Sequence, residues 1–231
     1  SEYLSKGKKL RVIYRGINVD YYNSKNISLL KKEKLKEEWN LSSNKFTILL
    51  PGRLTYWKGQ DKFIESLNIL IEDYNFTNFQ AIILGSDQGR KVYKKKLVNL
   101  VERYNLNKKI KFVSHCKEMP IAYSLSDVVV SASIEPEAFG RISVEAQSMG
   151  KPIIASNIGG SKETIINKKT GLLYKHDDPR ELAKCLNAVI QLSPDELKSM
   201  GNEGRKNITK KFDVETMCQS NLKEYKRLIK N

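Results

Sequence analysis

Cysteine is scarce in this chain: Cys116, Cys185 and Cys218 are the three among 231 residues, and none forms a C-x-x-C pair. That count and spacing exclude a disulfide framework and a zinc ribbon. A reducing cytoplasm is the expected setting, with the three thiols as small core residues. Histidine is scarcer still, with only His115 and His176. No apolar run approaches the ~18 residues that a membrane-crossing helix needs. The opening Ser-Glu-Tyr-Leu-Ser-Lys lacks both the apolar stretch of a signal peptide and an initiator Met. The expectation is therefore a soluble chain taken from a longer protein. Also missing are a P-loop, a Ser-His-Asp set and an Asp-x-Asp pair of the kind that holds a metal-bound diphosphate. No metal and no cofactor is expected.

What the chain has in excess is positive charge, 41 Lys plus Arg against 26 Asp plus Glu, or +15. The excess is uneven. Residues 1–45 carry 11 basic and 5 acidic groups, residues 46–89 carry 3 and 5, and residues 90–117 carry 10 and 1. A basic balance suits nucleic acid or an anionic membrane surface. A Lys/Asn/Ile bias from an AT-rich genome accounts for it equally well. The 40% hydrophobic content is that of a globular protein.

Short apolar runs at Phe46–Leu50, Gln80–Leu84, Ile110–Val113, Asp127–Ser131, Pro152–Ala155 and Gly171–Tyr174 read as strands bounded by turn residues. Such runs suit a parallel sheet buried on both faces. Helical patterns separate them at Lys58–Tyr74, Arg90–Tyr104, Met119–Leu125 and Ile142–Met149. The alternation predicts an α/β, Rossmann-like, doubly wound parallel sheet with helices on both faces. Asp178-Pro179-Arg180-Glu181 and Ser193-Pro194-Asp195-Glu196 are two helix starts. A terminal helix is expected over 213–231, another over Leu29–Trp39, and a strand at Leu10–Tyr14. One domain spanning 1–231 is the expected organisation.

Ligands of open parallel sheets bind beyond the carboxyl ends of the strands. The segments leaving those ends are 51–59, 85–90, 114–117, 134–141 and 157–160. Arg53 and Lys58 together supply the guanidinium fork and ammonium that suit a diphosphate. Two solvated loop cations are the plainer reading, and the neighbouring Gly52 and Gly59 favour the ligand. Glu137 and Glu145 on one helix would be ~12 Å apart, too far to share a site. With Glu137 in a loop, Gly140 opening a helix and Glu145 on an early turn, they suit hydroxyls at the ends of an elongated, anion-centred ligand. The amides at 139–142 would then face the anion. By spacing alone, an ordinary exposed helix residue is the plainer reading of Glu145. His176 reads as a surface-loop residue, and no carboxylate near in sequence orients His115.

Glu137-Ala-Phe-Gly-Arg-Ile-Ser-Val-Glu145, followed by Ala146-Gln-Ser-Met-Gly-Lys-Pro152, resembles the E-x7-E region of retaining GT-B glycosyltransferases of group 1 (family 4). Gly52-Arg53-Leu54, Lys58-Gly59, Asn157-Ile-Gly-Gly160 and Gly171-Leu-Leu-Tyr174 with Asp178-Pro179 are similar to further landmarks of that family, in the same order. Val12–Asp20 resembles the entry to its C-terminal domain. The resemblance implies the donor-binding C-terminal half of a two-domain enzyme, a hexosyl or other glycosyltransferase of bacterial polysaccharide or lipopolysaccharide synthesis, and a segment that lacks the acceptor domain and is inactive alone. It implies a UDP-, GDP- or ADP-sugar donor bound without metal. Arg53 and Lys58 would hold the diphosphate, Glu137 the sugar hydroxyls and Glu145 the ribose. Gly52, Gly85, Phe139, Gly140, Arg141 and Ile142 would line sugar and phosphates, and Ser114 and His115 would border the base. A peripheral place on the inner face of an anionic membrane goes with the basic 90–117 stretch. The alternatives are a basic nucleic-acid-binding protein, although that stretch lacks a stacking platform (Tyr93 and Tyr104 are its main candidates), a non-catalytic subunit of the same fold, and a sugar-nucleotide epimerase or a sugar-phosphate-making enzyme of that fold.

Overall fold

The computed structural model describes residues 11–229. Its frame is a six-stranded, all-parallel sheet of β1 (Phe46–Pro51), β2 (Phe79–Leu84), β3 (Ile110–Val113), β4 (Val128–Ser131), β5 (Ile153–Ser156) and β6 (Leu172–Tyr174), in the order β3-β2-β1-β4-β5-β6. Each of the six strands expected between residues 46 and 174 is present within one or two residues. Side chains alternate along each strand between two cores, as the period of two requires. Ile48, Leu50, Ile83, Val128 and Val130 enter one core, while Leu49, Ile82 and Val129 enter the other.

The first core is closed by α2 (Gln60–Tyr74), α3 (Lys91–Arg103) and α7 (Pro179–Ile190) through Phe63, Leu67, Leu97, Leu182 and Leu186. The second is closed by α4 (Met119–Ser124), α5 (Arg141–Ser148) and α8 (Pro194–Lys211) through Tyr123, Val144 and Ile208. Both expected helix starts form. Asp178 accepts from the Arg180 and Glu181 amides at 3.1 Å each, and Ser193 with Glu196 closes a full capping box. The helix α1 (Leu29–Glu38) and the terminal α9 (Val214–Ile229) fall where expected, with 230–231 outside the described residues. A one-turn helix, α6 (Ser161–Thr164), was not anticipated.

Two expectations fail. Residues 11–14 form no strand, and Leu10 lies outside the described residues. The segment meets the C-terminal helices rather than a sheet edge. Ile17 exchanges backbone bonds of 2.9 Å with Phe212 and Val214, Tyr14 packs edge-on against Phe212, and Arg11 pairs with Glu224 at 2.7 Å. The cysteines are not all core residues either: Cys116 and Cys185 are half-buried and pack against the two cores, but Cys218 is exposed on α9, whose described residues are nowhere fully buried.

Candidate functional site

The sheet order reverses between the adjacent strands β1 and β4, whose following helices pack on opposite faces. A crevice forms at such a reversal beyond the carboxyl ends. Two loops meet there, Gly52–Gly59 after β1 and 132–140 after β4. The Ile134 amide donates to the Trp57 carbonyl at 2.8 Å and fixes them together.

Lys58 and Glu137, 79 residues apart, form an ion pair of 2.7 Å across this crevice. Their side chains are only 10% and 18% exposed. Ser133 donates its hydroxyl to the same Glu137 oxygen. The Trp57 ring lies under both neighbouring cations, 4.5 Å from Lys58 Nζ and 5.9 Å from the Arg53 guanidinium carbon. Arg53 is exposed and makes no ion pair among the described residues. Its carbonyl accepts from Gln60 Nε2 at 2.8 Å, which holds the loop while leaving the guanidinium free.

Glu137 lies in the loop, as anticipated, and Gly140 opens α5. Gly140 takes a left-handed φ of 70° with no side-chain cap on the helix. A Cβ there would be strained by φ and would press 3.3 Å from the Ser161 amide nitrogen. The first-turn amides of Arg141 and Ile142 are therefore uncapped donors at the positive end of a helix dipole. A Cβ on Gly52 would touch both the Lys58 stem and the Ile142 side chain, so cations and helix start are immediate neighbours. On the other side, a Cβ on Gly85 would overlap the Gly52 carbonyl oxygen, and only glycine lets the β1 and β2 exits pack this closely. Gly52, Arg53, Lys58, Gly85, Glu137, Gly140, Arg141 and Ile142 thus share one crevice rim. Together they can hold an anion between cations and amides, with a carboxylate beside it to accept from hydroxyls.

Glu145 is not an ordinary exposed helix residue. Its carboxylate is buried and accepts from Tyr22 and Tyr123 hydroxyls at 2.8 Å each and from Arg141 Nε at 2.5 Å. These tyrosines and Ser133 escaped the reading of the sequence, because nothing in their spacing marks them. Phe139 packs against Phe212 with ring centroids 6.2 Å apart. A cavity of about 580 Å³ opens between Arg15–Tyr22 and Glu137–Arg141. Ser114 and His115 are both exposed, and His115 lines another groove, of about 560 Å³, shared with Lys31, Lys34 and Cys116.

The family model described as "Glycosyl transferases group 1" matches residues 31–207. The chain is 34% identical to a crystallised glycosyltransferase of Rickettsia africae, over 96% of this chain and 58% of that one, with a TM-score of 0.91. It is 28% identical to Anabaena HepE, solved in complex with UDP and glucose, over 94% of this chain and 57% of that one, with a TM-score of 0.84. The capsular polysaccharide biosynthesis glycosyltransferase CapM of Staphylococcus aureus is 26% identical over 84% of this chain and 52% of that protein. The chain spans little more than half the length of these relatives.

The shielded Lys58–Glu137 pair makes a direct prediction. Removing either partner leaves the other group shielded and unpaired, so Lys58→Met and Glu137→Gln should each cost about 1–3 kcal/mol. The double variant should cost less than the sum, with a coupling of about 1–2 kcal/mol in urea unfolding. Strict additivity of the two losses would contradict the pairing.

Proposed function

The chain belongs to the group 1 glycosyl transferases, and we propose that it is the nucleotide-sugar-binding half of a retaining enzyme that transfers a sugar without a metal ion. The observation that carries this reading is the meeting of Arg53, Lys58 and the uncapped α5 start beside Glu137 at the sheet reversal. In the reaction, the bond between the sugar's anomeric carbon and the β-phosphate oxygen breaks as an acceptor hydroxyl bonds to that carbon. The proton lost by the acceptor leaves with the diphosphate, on whose oxygen negative charge develops. Arg53, Lys58 and the Arg141 and Ile142 amides are donors fixed in advance for that charge. Glu137 accepts from the donor sugar's hydroxyls, Glu145 from the ribose, and Ser114 and His115 border the base. The UDP complex of HepE makes UDP the first nucleotide to try, and CapM makes bacterial surface polysaccharide the first pathway class.

The acceptor half would be a further domain of the same enzyme, and this segment alone would bind donor and transfer nothing. The terminal helix is consistent with such a neighbour: Leu222, Tyr225, Leu228 and Ile229 expose their apolar side chains on α9. Differential scanning fluorimetry with UDP, GDP, ADP and their sugars, in excess EDTA, tests the reading. One nucleotide series should raise the melting temperature, at 100 times its Kd by the equivalent of about 2.7 kcal/mol, and Arg53→Ala should abolish the shift. Absence of any shift with all three series would contradict donor binding, and sugar transfer by this segment alone would contradict the division of labour.

The reading extends to an anionic membrane surface as partner, through α3. Lys91, Lys95 and Arg103 stand at four-residue multiples on its exposed face and make no ion pairs among the described residues, whereas Lys94 and Lys96 are paired with Asp87 and Asp61. Like charges at that spacing destabilise a free helix, and so do cations in a first turn that has no acidic residue. Val92, 87% exposed, and Tyr56, 59% exposed, stand among these cations. An apolar side chain between cations suits a headgroup layer better than a nucleic-acid groove. Co-sedimentation should occur with vesicles of equal parts phosphatidylcholine and phosphatidylglycerol, and not with phosphatidylcholine alone. Joint Lys91→Glu and Lys95→Glu substitution should weaken it at least ~10-fold. Equal binding to both vesicle types would exclude the electrostatic surface.

A further inference from the structure

The three groups around Glu145 are not equivalent. Tyr123, on α4, is completely buried, and Tyr22 nearly so. Their rings pack edge-on with centroids 6.2 Å apart. Burial first, and then the Glu145 charge, push both phenols far above the ordinary tyrosine range. Both hydroxyls therefore stay protonated and act as donors into the carboxylate. Neither ring can leave without opening the core. Arg141 is the opposite case: its side chain is 73% exposed against 6% for Glu145. Its contact is a half-solvated pair one helical turn away, in which only the guanidinium side is open to solvent. Of the three donors, Arg141 is the one that a ligand hydroxyl can displace without opening the core.

Tyr22 belongs to none of the sheet's helices. It sits in the irregular segment that precedes α1, yet its backbone is fastened to the site's own support. The Tyr22 carbonyl accepts from Ser148 Oγ at 2.8 Å, at the end of α5, and from Arg205 Nη1 at 2.9 Å, on α8. Arg205 also donates to the Ser148 carbonyl. Five residues upstream, Ile17 is bonded to both Phe212 and Val214. The same stretch, Arg15–Tyr22, forms the wall of the cavity opposite Glu137–Arg141. A single phenol thus joins that wall to the carboxylate.

We propose that Tyr22 is a positioning residue, which holds Glu145 in place for a vicinal diol of the ligand and passes occupancy of that carboxylate to the 15–22 wall. Bound diol takes the place of Arg141, while Tyr22 and Tyr123 keep the carboxylate from turning. The proposal rests on the donor reading above, with the nucleotide's ribose as the diol. It names the residue that sets preference for ribose over its deoxy analogue.

Tyr22→Phe keeps the ring and removes the hydroxyl. The full 231-residue chain, wild type and variant, is titrated calorimetrically with UDP and with 2′,3′-dideoxy-UDP. A hydrogen bond to a charged group contributes about 1.5 kcal/mol, so the variant should bind UDP about 10-fold more weakly. Its affinity for the dideoxy nucleotide should change by less than ~2-fold, which collapses the discrimination. Hydrogen exchange supplies the second readout: UDP should slow the amides of 17–22 in the wild type and not in Tyr22→Phe. A merely structural role would weaken both nucleotides equally and leave the discrimination intact, and that result would overturn the proposal. Protection of 17–22 in the variant matching the wild type would overturn the coupling. Failure of UDP to bind the wild type, with GDP and ADP failing too, would overturn the donor reading instead, and this proposal with it.

Discussion

The reversal of strand order between β1 and β4 is the constraint on which the rest of the site depends. Each parallel strand must send its chain back over one face of the sheet. At the reversal, two neighbours send theirs over opposite faces, and their exits part. The cations, the loop carboxylate and the helix start that face the crevice are carried into that gap by the two exits. β1 delivers Arg53, Trp57 and Lys58; β4 delivers Ser133, Glu137 and the start of α5. Small residues are required wherever these loops touch, as at Gly85 against the Gly52 carbonyl. The glycines so prominent in the motifs are therefore first a packing requirement, and in the proposed function they also leave space for a ligand's phosphates.

The charge within the gap is modest. Lys58 is matched by Glu137, so the net cation is Arg53, helped by uncapped amides that carry no formal charge. A site of this kind discriminates by arrangement rather than by field strength. The large positive excess of the chain lies elsewhere, chiefly on and after α3, and is separate from the proposed donor site. One part of the molecule is organised around a shielded ion pair, the other around cations that repel one another in the free protein.

Much of this was legible in the sequence. Strands buried on both faces leave unbroken aliphatic runs such as 48–50 and 128–130, and their ends fell within a residue or two of expectation. Asp178 and Ser193 announced their helices because a cap is a local event. The rim residues Arg53, Lys58 and Glu137 were legible for the same reason, as they follow strands directly. Their pairing was not, since 79 residues separate Lys58 from Glu137. Tyr22 and Tyr123 were invisible because a buried carboxylate gathers donors from wherever the fold brings them, here from 123 and 22 positions away. The pattern at Leu10–Tyr14 satisfied strand periodicity, but a strand also needs a partner, and residues 11–14 lie by the C-terminal helices. Cys218 failed as a core residue because the helix bearing it buries none of its residues among those described.

The most direct test of the central claim is an amide chemical-shift map of the chain titrated with UDP in the presence of EDTA. The account predicts that the largest changes fall on Gly52, Arg53, Arg141, Ile142 and Ser143, the backbone lining the gap between the two exits. Changes confined to α3 or to the groove around Lys31 and Lys34, with the start of α5 unmoved, would contradict it.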